Sequence, residues 1–340
     1  MLKIKAAAAL SVVGVLALTA CGGGGGSASD AKTVSIVGYS VLEEANQGVE
    51  KAFQQTDAGK DVTFKESYGA SGDQSRAVEA GQQADEVHLS LEPDVTRLVD
   101  AGLVDSDWKD NATDGVCTQS VVVLVVRKGN PKNIKTWSDL TKSGVQIVTP
   151  DPASSGSAKW NLLAAYGSVL ADGGSDAEAQ AYMKKFYDNV IAMPASGREA
   201  TSTFTGGKGD VLISYENEAI LGRQDGDDFD YVVPDSDLLI QNTCALLKDH
   251  SDAATDWMAF QKSVAGQKEY AATGYRPLDN VASKVGDVTV KGAMDPSDPF
   301  PTVEKLLTID KNFGGWDKAN TKYFDEDDGI LTKIQSDAGF

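Results

Sequence analysis

GVQIVTPDPASSGSAKWNLLAAYG, residues 144–167, contains a change of period that sets the fold class. GVQIVTP is short, apolar and β-branched, which predicts a buried strand. Behind it Trp160, Leu163, Ala164, Gly167 and Ala171 fall at i, i+3, i+4, i+7 and i+11, the spacing of one helix face. Ser154, Ser155, Gly156 and Ser157 lie between the two. Such a junction has two readings. It is a structural N-cap, contributing around 1 kcal/mol to its helix. Or it is an anion platform, because the first N–H groups of a helix lack intrahelical acceptors and carry the positive end of the dipole.

The same alternation runs outward in both directions. VSIVGYS (34–40), DVTFKESYG (61–69), SVVVLVVRKGNP (120–131), VIAMP and DVLISYE read as strands, most with a helical pattern after them. Strands alternating with helices predict an α/β fold with largely parallel sheets. Two further junctions carry similar punctuation. GASGDQ places Gln74 three residues after Ser71, and ASGREA places Glu199 three residues after Ser196, both capping-box patterns. In open α/β sheets, ligands bind beyond the carboxyl ends of strands, where helix N-termini converge. Three such ends rich in serine and glycine suit a small oxyanion.

The 340 residues are 41% hydrophobic and 24% charged, an ordinary globular composition sufficient for two domains. Residues 1–21, MLKIKAAAALSVVGVLALTAC, combine Lys3 and Lys5 with a short apolar stretch and small residues before Cys21, the pattern of a cleaved leader. Leu18-Thr19-Ala20-Cys21 resembles a bacterial lipobox, which predicts lipidation of Cys21 and a flexible Gly/Ser tether over 22–32. The expected location is extracytoplasmic, anchored to the cell membrane. Loss of the two leader lysines takes the formal charge from −19 to −21. That balance argues against nucleic acid and against anionic lipid surfaces. Cys117 and Cys244 are the remaining cysteines, either a disulfide or two buried thiols. With His88 and His250 they show no metal-ligand spacing, so no metal or cofactor is expected.

Long stretches also resemble a known family, the sulfate/thiosulfate-binding proteins of bacterial ABC importers. VRKGNPKNIKTWSDL (126–140), residues 144–167, GDVLISYENEAIL (209–221), GYRPLD (274–279) and FPTVEKLLTIDKNFGGWDKA (300–319) carry the resemblance. It implies a two-lobed periplasmic-binding-protein fold, each lobe a mixed sheet flanked by helices, with the ligand in the cleft. Lobe 1 would hold 33–116 and 245–340, and lobe 2 would hold 117–244. Cys117 and Cys244 then flank the two crossovers, and a hinge disulfide is expected. The resemblance implies sulfate contacts at Ser71, Ser155 (hydroxyl and N–H), Gly156, Ser157, Gly197 and Tyr215. Ser40, Lys159 and Arg198 would act on the site from behind those donors. Two positions depart from the family: Ser157 replaces a glycine, and Tyr215 replaces a tryptophan.

A cleft of donors alone suits sulfate, which carries no proton at neutral pH. Hydrogen phosphate would need an acceptor, and Asp73 and Asp151 are expected to point away. The implied role is capture of sulfate or thiosulfate by a monomer that delivers it to permease subunits. The same fold tuned to molybdate or phosphate is the alternative. An enzyme with Ser155 as nucleophile is disfavoured, since neither histidine lies near a matched serine and no G-x-S-x-G elbow is present.

Overall fold

The computed structural model describes residues 32–340. Cys21, the leader and nearly all of the tether lie outside those residues. The first apolar runs form β1 (Lys32–Tyr39), β2 (Val62–Gly69) and β3 (Glu86–Leu89), which lie side by side in the order β2-β1-β3, all parallel. Helices α1 (Glu43–Phe53), α2 (Ser71–Glu79) and α3 (Glu92–Asp100) follow these strands in turn. Next comes β4 (Val116–Arg127), whose valine run is buried over almost its whole length.

A second parallel trio follows: β5 (Ile147–Val148), β6 (Val190–Ala192) and β7 (Val211–Tyr215), in the order β7-β5-β6. Helices α4 (Gly156–Ala171), α5 (Asp176–Asp188), α6 (Gly197–Thr205) and α7 (Glu216–Asp225) belong to this half. After β8 (Phe229–Val232), the long strand β9 (Ser236–Leu246) returns to the first half.

The centre of this sheet is antiparallel, so the sheet is mixed, with its parallel strands in the two flanking trios. β4 and β9 pair with each other, while β9 also pairs with β3 and β4 also pairs with β7 and β8. These two strands therefore carry the chain between the halves. β9 escapes an apolar-run reading because SDLLIQNTCAL buries Asp237, Asn242 and Thr243. Asp237 accepts from the N–H groups of Val122 and Leu238, and Asn242 Oδ1 accepts from the Tyr39 and Thr118 hydroxyls. These hydrogen bonds offset the cost of burying the polar groups. Cys117 and Cys244 are joined across β4 and β9, with Cα atoms 5.8 Å apart.

Helices α8 (Asp252–Gln261), α9 (Val264–Ala272) and α10 (Asp279–Val285) follow; α8 packs beside β1, and α9 against α1. The remaining chain, part of the 245–340 expected in lobe 1, runs along α4 and α5. Strand β10 (Lys305–Leu307) pairs with β9 at Ser236–Leu238, and the C-terminal helix Ile330–Asp337 packs on α5. Trp316 meets Trp160 edge-on at 4.8 Å, and Tyr323 meets Tyr166 at 5.0 Å. The physical cause is α4, which is apolar on nearly every face and needs cover outside the sheet. At Gly167 a Cβ would lie 2.7 Å from Leu307 and 2.9 Å from Phe313, so the bare backbone admits this segment.

Candidate functional site

The N-termini of α2, α4 and α6 come together, as three separate loops in the sequence had suggested. Between α2 and α4 lies a cavity of about 10 Å³, lined by Ser40, Val41, Ala70, Ser71, Ser90, Ser155, Gly156 and Ser157. Tyr39 forms part of its wall. That space is about one water's worth, smaller than a five-atom oxyanion as well as any organic ligand, so an anion would need the walls farther apart than they stand here. The walls are held shut by polar links between the two halves of the sheet. Gly72 N donates to Ser154 O at 3.1 Å, and Trp160 Nε1 donates to Ser90 O at 3.0 Å. The Ser90 and Tyr215 hydroxyls are 2.7 Å apart.

Of the three junctions, only one keeps its serine as a side-chain cap. Ser196 Oγ accepts from Glu199 N at 3.2 Å, while Glu199 Oε2 accepts from Ala195 N one residue earlier. At α2 the N-cap is Ala70, which makes no side-chain cap, and Ser71 is the first helical residue. Its hydroxyl donates to Asp94 Oδ2 at 2.6 Å and accepts from Ser90 N at 2.9 Å. A capping box needs a serine at the N-cap whose oxygen accepts from the N3 N–H; Ser71 lies inside the helix and its oxygen accepts from Ser90 N, so the predicted box with Gln74 does not form. At α4 the Ser155 hydroxyl is 2.8 Å from that of Ser157 and makes no cap bond. The Ser155 N–H, expected to face a ligand, instead donates to Asp151 O at 2.8 Å. The following N–H groups, at Gly156 and Ser157, begin the helix and have no acceptor within it.

Gly197 opens α6 opposite Ser157, and a Cβ there would stand 2.9 Å from Ser157 Oγ. The Arg198 guanidinium bonds Glu44 Oε1 at 3.0 Å and lies 3.1 Å from Glu218 Oε1 without hydrogen-bond alignment. Its burial disfavours the charge, but Glu218 and Glu44 more than offset this and hold its pKa above the ordinary value. Arg198 therefore sits charged at the α6 N-terminus and ties the halves together. Ser40 accepts weakly from Arg198 N, at 3.5 Å.

Gly197 and Arg198, at the α6 N-terminus, do not line the cavity, and two further expected residues stand elsewhere. Tyr215 ends β7 and does not line the cavity; its hydroxyl reaches only as far as Ser90. Lys159 turns to Asn320 Oδ1 at 3.1 Å and lies over the Phe324 ring, in a separate cavity beside the C-terminal segment. Burial lowers its pKa, partly opposed by Asp94. Asp73 pairs with Arg76, and Asp151 Oδ1 accepts from Ala153 N.

Ser90 and Asp94 were missed. Both belong to a fourth strand-to-helix junction, between β3 and α3. Glu92-Pro93-Asp94 is a helix-start signal that could have found it. The Asp94 carboxyl is raised by burial, with the Ser71 hydroxyl pulling it back. It does not line the cavity. Ser155 has no imidazole partner: His88 is buried on Thr118 with its pKa lowered to about 3 by burial, and His250 bonds Leu247 O and Thr255.

Known proteins resemble this chain over most of its length. A sulfate-binding protein of Synechococcus elongatus is 37% identical over 96% of this chain and 95% of its own. A thiosulfate-binding protein of Pseudomonas aeruginosa is 32% identical over 92% and 95%. The solved sulfate-binding protein SubI of Mycobacterium tuberculosis shares 42% identity, with TM-score 0.79, over 86% of this chain and all of that one. The pattern of the family described as bacterial extracellular solute-binding protein matches residues 34–276. The chain belongs to the bacterial extracellular solute-binding protein family.

Proposed function

We propose that this protein captures sulfate, and thiosulfate by the same contacts, and hands it to the permease of an ABC importer. The observation that carries the reading is a small cavity at the N-termini of α2 and α4, with five serines and Gly156 in its wall beside Val41 and Ala70, and no carboxylate in its lining. A dianion without protons satisfies every such donor and leaves none facing another donor. Hydrogen phosphate would place its proton against that wall, at a cost of about 1–3 kcal/mol or more. In this reading Ser71 through its N–H (its hydroxyl proton going to Asp94), Ser155, Gly156, Ser157 and Gly197 supply the direct contacts, and Arg198 acts through the α6 terminus. Lobe 1 centres on β1–β3 and α8–α10, lobe 2 on β5–β7 with the C-terminal segment, and the lobes close about β4 and β9. Lipidation at Cys21 would anchor the monomer outside the membrane. At physiological salt, exposed carboxylates more than about 8 Å away are largely screened, so the strongly negative net charge does not oppose binding.

Isothermal titration with sulfate, thiosulfate, molybdate and phosphate tests the reading. Expected is tight binding of sulfate, flat between about pH 6 and 8 because the contacting donors do not titrate there. Phosphate bound as tightly as sulfate would refute it.

A further inference from the structure

Resting on that sulfate reading, we propose that Ser90 is a further anion-binding residue, and that Tyr215 is a positioning residue acting through it. Three observations converge on the Ser90 hydroxyl. It lines the cavity, whereas Tyr215 does not. It abuts the first residue of α4: a Cβ built on Gly156 would stand 2.6 Å from Ser90 Oγ. Its one side-chain hydrogen-bond partner is the Tyr215 hydroxyl, 2.7 Å away. Both residues are almost fully buried, so no bulk water competes for these groups.

The rest of Ser90 is immobilised. Its carbonyl accepts from Trp160 Nε1 and from Asn242 Nδ2, and its N–H donates to Ser71 Oγ. Only the hydroxyl rotor remains free. When Tyr215 donates to Ser90 Oγ, the serine proton is left to point into the cavity, at the α4 terminus where the anion charge sits. The phenol thus reaches the anion through an intervening hydroxyl rather than directly. Two hydroxyls in series polarise one another, which strengthens the terminal donor.

The test is a double-mutant cycle read by sulfate titration, on Ser90→Ala, Tyr215→Phe and the double variant, with Ser90→Cys as a near-isosteric check. Melting of each ligand-free protein is followed alongside. Losing a hydrogen bond to a charged group predicts sulfate affinity about 10- to 100-fold weaker for Ser90→Ala and Ser90→Cys. Tyr215→Phe should weaken binding less, and adding it to Ser90→Ala should change affinity little further. A merely structural pair would lower the melting temperature of the free protein without this pattern in affinity. Ser90 variants that bind sulfate as the native protein does would overturn the proposal. So would a Tyr215→Phe effect that persists in full without Ser90. Native protein that takes up no sulfate overturns the underlying reading as well, whereas native binding with unaffected Ser90 variants overturns this proposal alone.

Discussion

Alanine at Gly156 would add a single methyl group where the two halves of the sheet meet. The new Cβ would lie 2.6 Å from both Cβ and Oγ of Ser90, and 3.0 Å from Leu91 Cγ. Carbon atoms in good contact stand about 3.5–4.0 Å apart, so the closed form is roughly 1 Å too tight. The serine Oγ can rotate aside, but its Cβ is fixed to the backbone. Relief requires β3 and α4 to separate, which weakens the Trp160–Ser90 and Tyr215–Ser90 links. Overpacking of this kind costs about 1–3 kcal/mol, or about 5- to 150-fold in affinity. The Gly156 N–H is retained, so no anion donor is lost. An open protein feels no clash, and alanine suits a helix better than glycine. The ligand-free melting temperature should therefore stay level or rise slightly while sulfate affinity falls. Calorimetric titration and a thermal melt on the same samples separate these effects. Sulfate affinity within about twofold of native would refute the claim that β3 and α4 stay in contact when the anion is bound.

Ser155→Ala removes one hydroxyl and its bond to Ser157, and should weaken sulfate binding about tenfold in titration. The Cys117–Cys244 bond spans a sequence separation of 127, for which loop-closure entropy gives a stabilisation of roughly 4–5 kcal/mol. Reduction, or alanine at both positions, should shift the denaturant midpoint down; an unshifted midpoint would mean that the bond does not constrain the unfolded chain. Glu86 is buried with its carboxyl raised from 4.5 to about 7 by desolvation, while Gln261 Nε2 donates to it at 2.7 Å. The native state thus holds a proton that the unfolded state releases, so this contribution is complete below about pH 4.5 and lost as pH rises through about 7. Glu86→Gln should flatten the stability profile across that window, as read by denaturant melts, and an unchanged slope would contradict the assignment.

The alternation of apolar strands with helical periods identified the α/β class, and the serine–glycine junctions pointed to an anion at α2, α4 and α6. Such features are local: period, turn chemistry and cap residues act within a few positions of chain. Assignments that depended on competition between distant groups went differently. Ser71 does not cap α2 because it is the first helical residue and its oxygen is taken by Ser90 N, from the junction after β3. Lys159 leaves the cleft for Asn320 and Phe324, which arrive from the far end of the chain. Strand β9 was illegible because its buried Asp237 and Asn242 find partners distant in sequence, on β1, β4 and at Ser90. The C-terminal segment covers α4 because a helix apolar on nearly every face must be buried by whatever can reach it. By itself, then, the sequence determined the class of fold and the donor chemistry of the cleft. Tertiary structure decided which donors face it, placing Ser90 at the cavity and Tyr215 one hydroxyl behind, since a side chain's partner depends on every acceptor within reach.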